Sequence, residues 1–112
     1  MMQLEKRDVE KQKVRKFIIS SIVESNIRYL QMDGAEEKVR LIRRSSEDII
    51  TRLDDQVIIE VRLSIRPYKE VLTDLMILQK QIIEDIRLLT GLRVGKVVLK
   101  IEHCSIDSIE KT

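Results

Sequence analysis

The sequence predicts an α+β domain in which two helices pack on one face of a small three-stranded sheet, in the order α-β-β-α-β. Three observations predict it. Residues 57–65 alternate, with Val57, Ile59, Val61, Leu63 and Ile65 set against Ile58, Glu60, Arg62 and Ser64, the period of two that a half-buried strand requires. A helical stripe of Val71, Leu75, Leu78, Ile82 and Leu89 then lies between the only proline, Pro67, and Gly91. Alternation returns after Gly95, with Val97, Leu99, Ile101 and His103 on one face and Lys96, Val98, Lys100 and Glu102 on the other. A chain of 112 residues fits one domain spanning 1–112, long enough to bury a core without staples.

The first sixteen residues are dense in charge, with Lys6, Arg7, Lys11, Lys13, Arg15 and Lys16 against Glu5, Asp8 and Glu10. Helical spacing of apolar residues follows. The first helix is expected over residues 8–31, with Val14, Phe17, Ile18, Ile22 and Leu30 near one face and Val23 and Ile27 close by. Asp33-Gly34 is its expected stop. The two ends, 1–8 and 105–112, read as flexible.

Residues 36–56 are ambiguous between helix and strand. Val39, Leu41 and Ile42 suit either, and Ser45 followed by Asp48 approximates a capping box. A tight turn at Asp54-Asp55 would instead make residues 47–65 a hairpin, the preferred reading. The sheet's outer face would then carry Glu60, Arg62, Lys96 and Lys100. The second helix, over residues 68–90, would run about 33 Å at ~1.5 Å per residue. That exceeds what a three-stranded sheet covers, so Leu72, Met76 and Ile83, which widen the stripe along with Ile86, are a candidate partner-facing flank. The plainer reading of the same stripe is a core helix.

No catalytic, metal or cofactor site is expected. His103 and Cys104 are the only residues of their kinds, and as strand neighbours they point to opposite faces. One cysteine excludes an internal disulfide and suits a reducing compartment. The acidic pairs Glu47-Asp48 and Asp54-Asp55 fit cap and turn chemistry. Gly91 and Gly95 have the wrong spacing for a phosphate loop or a GXXG clamp. Stacking on bases is disfavoured, because Phe17, Tyr29 and Tyr68 are the only aromatics. No apolar run approaches the ~20 residues that span a bilayer, so the expected location is the cytoplasm.

The net charge of +2 describes a mixed surface with local basic clusters. One is Lys11, Lys13, Arg15 and Lys16, which on an amphipathic helix could also meet a membrane surface. The other, Arg62, Arg93, Lys96 and Lys100, is a candidate anion or nucleic-acid surface, although a solvated face accounts for both clusters. The sequence therefore favours a non-enzymatic interaction or scaffold protein that self-associates. A nucleic-acid or ribosome-associated binding module is the alternative.

Residues 57–102 resemble the alkaline shock protein family of Gram-positive bacteria, the general-stress and envelope-stress proteins. The resemblance rests on the strand Val57–Ile65, a long helix rich in Gln, Ile and Leu ending in Thr90-Gly91-Leu92, and Val94 followed by the strand 97–101. It implies an αβ domain without a known active site, self-assembly, and an indirect link to the membrane through a separate anchor protein. The first half departs from the family, whose small-residue-rich first helix and acidic character are missing.

Overall fold

The structure, a computed structural model, describes residues 2–30 and 38–104, with side chains from Asp8 onward. The elements are α1 (Met2–Leu30), β1 (Val39–Leu41), a single 3-10 turn (Ser46–Asp48), β2 (Ile49–Leu53), β3 (Val57–Ile65), α2 (Val71–Thr90) and β4 (Val94–Cys104). The expected stop at Asp33-Gly34 and the expected flexible tail, 105–112, lie outside the described residues. At its other end α1 begins at Met2, earlier than the start expected near Asp8.

β3 is the centre of the sheet. On one side it pairs in parallel with β4 along its whole length, from Val57 opposite Val94 to Ile65 opposite Cys104. β1 and β2 therefore share the remaining edge, both antiparallel to β3. Val39 lies opposite Ile65, Leu41 opposite Leu63, Ile49 opposite Val61 and Leu53 opposite Val57. The sheet has four strands where three were expected, but β1 and β2 are one lane interrupted by residues 42–48, so it remains three lanes wide.

The interruption has a local cause. Arg44 takes a left-handed backbone conformation at φ 57°. The buried Asp48 carboxylate accepts from the Arg43 N–H, and the Ser45 hydroxyl accepts from the Glu47 N–H at 3.3 Å. The Ser45–Asp48 signal thus closes one 3-10 turn instead of starting an α-helix. The hairpin expected over residues 47–65 is present, as β2 and β3 joined through residues 54–56.

Both helices cover the same sheet face. Val57, Ile59, Val61 and Leu63 of β3 pack there against Leu75, Leu78, Ile82 and Ile86 of α2 and Ile19, Ile22, Val23 and Ile27 of α1. α2 stops at Gly91, whose φ of 72° is open to glycine at little cost and whose N–H donates to Arg87 O at 2.9 Å.

The expected phase of α1 is corrected. Val14, Phe17 and Ile18 are exposed, Phe17 at 73%, whereas Ile19, absent from the expected stripe, is fully buried. At 100° per residue, Val14, Phe17 and Ile18 point roughly opposite to Ile19, Val23 and Ile27. α1 carries two apolar stripes end to end, and only the second lies over the sheet. Every described residue from Asp8 to Ile18 is exposed. In α2, Leu89 is likewise exposed although it continues the expected stripe.

Candidate interaction surfaces

The flank of α2 is uncovered where the sequence suggested it. Leu72, Met76 and Ile83 are 74%, 58% and 36% exposed. They sit seven and three residues before Gln79 and four after it, so all three share its side of the helix. Gln79 donates its side-chain amide to the main-chain oxygen of Val97 on β4, at 3.0 Å. The apolar flank therefore runs beside β4.

β4 itself is an edge strand. Its only partner among the described strands is β3. Val57 N–H donates to Arg93 O at 3.2 Å, while Arg62 O, on the opposite edge of β3, accepts from Ile42 N–H. Odd-numbered β3 residues thus bond toward β4. The parallel ladder then turns the N–H and C=O groups of Val97, Leu99 and Ile101 away from β3, toward the free edge. Val97 is buried and Leu99 half-buried against the helices, but Ile101 is 39% exposed.

The sheet's other face collects positive charge. In register, Arg62 lies opposite Lys100, and Lys96 opposite Ile58. Arg40 on β1 faces Ser64 and Arg52 on β2 faces Ile58, which adds two cations that the sequence alone did not place there. Glu60 and Glu102 oppose them. Glu102 lies 3.4 Å from Arg62 Nε and 3.9 Å from Lys100 Nζ, an ion pair that lacks hydrogen-bond geometry at the Arg62 nitrogen. Arg93 stands apart, exposed in the link before β4. Three of the four expected cations therefore share one face, two of them partly neutralised by Glu102. Lys11, Lys13, Arg15 and Lys16 are exposed along the free half of α1.

A groove of about 440 Å³ separates the helices, lined by Ser25, Asn26, Tyr29 and Leu30 of α1 and by Ile77, Leu78, Gln81 and Asp85 of α2. Asn26 closes its floor by donating to Asp85 at 3.0 Å, and Gln81 donates to the same carboxylate at 2.9 Å. Nothing in the sequence pattern points to this groove, because the helix crossing that creates it has no local signature.

Among the described residues, no group of three or more His, Cys, Asp or Glu side chains converges as a metal site would require, and no helix is long and apolar enough to cross a membrane. His103 and Cys104 are both exposed at the end of β4. No family model, curated protein or solved structure matches the chain.

Proposed function

We propose that this chain is a non-enzymatic interaction module that associates with a second copy of itself, in a scaffold role of the kind its resemblance to the alkaline shock proteins implies. The observation that supports this most is the exposed row of Leu72, Met76 and Ile83 running beside a strand edge that no other described strand pairs. Apolar side chains in a row gain by leaving water, and an edge gains main-chain hydrogen bonds from another strand. One patch offers both. A cytoplasmic location fits this reading, as does membrane contact made only through a separate anchor protein, which the resemblance implies.

Light scattering across a concentration series tests this reading. The expected result is a mass approaching two chains as concentration rises, with Leu72→Ser and Met76→Ser shifting the midpoint to higher concentration. A single-chain mass at the highest concentration overturns it.

A second reading is an RNA-binding or ribosome-associated module, favoured by Arg40, Arg52, Arg62, Lys96 and Lys100 gathering on one open sheet face. Phosphate contacts are strongest at low salt. RNA binding that appears at low salt and fades steeply as salt rises would support this reading, and no binding at low salt removes it.

A further inference from the structure

We infer that two copies join through β4, antiparallel and with Leu99 on the two-fold axis, so that the sheet continues from one protomer into the next. This rests on the self-association proposed above and specifies its register. The argument comes from what β4 would meet in a second β4.

With Leu99 opposite itself, all eleven residues of β4 find a partner, from Val94 against Cys104 inward. Val97 faces Ile101 twice, and Lys96 faces Glu102 twice. Opposite charges across a strand pair are favourable, and like charges directly opposite are not. Sliding by two residues in one direction sets Lys96 against Lys100, and in the other direction sets Lys100 against itself. Sliding by one would place the apolar row of one strand on the charged face of the other. The register centred on Leu99 is the one in which charge, face and length agree.

The main chain agrees as well. Val97, Leu99 and Ile101 turn their N–H and C=O groups to the free edge, so Leu99 would exchange two hydrogen bonds with its own copy and Val97 would do so with Ile101. Gln79 uses one lone pair of Val97 O, and a carbonyl has two. β4 carries no proline, and Lys96 and Lys100 lie on the outer face, so no charge blocks the inner one. The irregularities in its pairing with β3 fall near its ends, between Val94 and Lys96 and between Ile101 and His103. Ile101, exposed in the single chain, would be covered by Val97 of the second copy. Because both α2 helices stand on the inner face, their Leu72, Met76 and Ile83 rows would approach each other above the joined strands.

A zero-length carbodiimide cross-linker applied to an equal mixture of light and heavy-isotope wild-type protein tests the register. Within one chain Lys96 and Glu102 are six residues apart on a strand, about 20 Å at ~3.3 Å per residue, so an amide between them forms only across two copies. The expected product is a Lys96–Glu102 peptide containing one light and one heavy half. As a second test, Leu99→Cys in a Cys104→Ser background should close a disulfide dimer under mild oxidation, because facing residues ~5.5 Å apart suit that bond. A two-chain mass by light scattering with neither product overturns the register and leaves self-association standing. A single-chain mass with neither product overturns both.

Discussion

Asn26 of α1 and Asp85 of α2 are hydrogen-bonded at 3.0 Å, across the groove where the two helices meet. The Asn26 amide also donates to Ile22 O at 2.9 Å, so it is held from its own helix while it reaches the other. Replacing Asn26 with Ala leaves a half-buried carboxylate supported by Gln81 alone, and should cost about 1–2 kcal/mol in urea unfolding. Asn26→Asp should cost more at neutral pH, because two carboxylates would then face each other. That extra loss should shrink as the pH falls and one of them takes up a proton.

Thr51 lies on the core face of β2, buried, and its hydroxyl has no hydrogen-bond partner among the described residues. An unsatisfied buried hydroxyl costs free energy, and valine has nearly the same shape without it. Thr51→Val should therefore raise stability by about 1 kcal/mol, read as a higher urea midpoint at unchanged slope. A lower midpoint would show that the hydroxyl is satisfied in solution.

Tyr68 gives the protein an alkaline limit. Its phenol is held above the ordinary tyrosine range, first by burial, then by the hydrogen bond it donates to Asp74 at 2.8 Å, and then by the charges of Asp74 and Glu70. Lys38 stands over the ring at 5.0 Å, which favours the packed position without reversing that shift. Because the folded-state value is raised, the folded chain keeps its proton where the unfolded chain loses it. The stabilisation is complete below the unfolded tyrosine value of about 10 and is lost as the pH rises above it. Tyr68→Phe should be less stable at neutral pH by about 1 kcal/mol and should show a shallower decline in alkali, both visible in thermal unfolding at stepped pH.

Much of this architecture is legible in the sequence because the signals are local. Val57–Ile65 announces its strand by alternation, α2 is bracketed by Pro67 and Gly91, and the α2 flank follows from the width of its stripe. α1 misleads because its apolar residues form two stripes on opposite sides, and periodicity cannot say which one the sheet lies beneath. β1 is only three residues long, too short to show a period, and the turn that sets it off depends on Asp48 reaching back to Arg43. Arg40 and Arg52 join the charged face only once the register of β1 and β2 on β3 is known. The Asn26–Asp85 and Tyr68–Asp74 bonds belong to side chains whose meeting depends on how elements cross or turn, and composition carries no trace of that.

Hydrogen exchange at the main-chain amides of Val97, Leu99 and Ile101 examines the β4 edge directly. At concentrations where two copies associate, these three amides should exchange slowly, like the amides of β3. Exchange as fast as that of the 54–56 turn at every concentration would contradict a paired edge and the reading built on it.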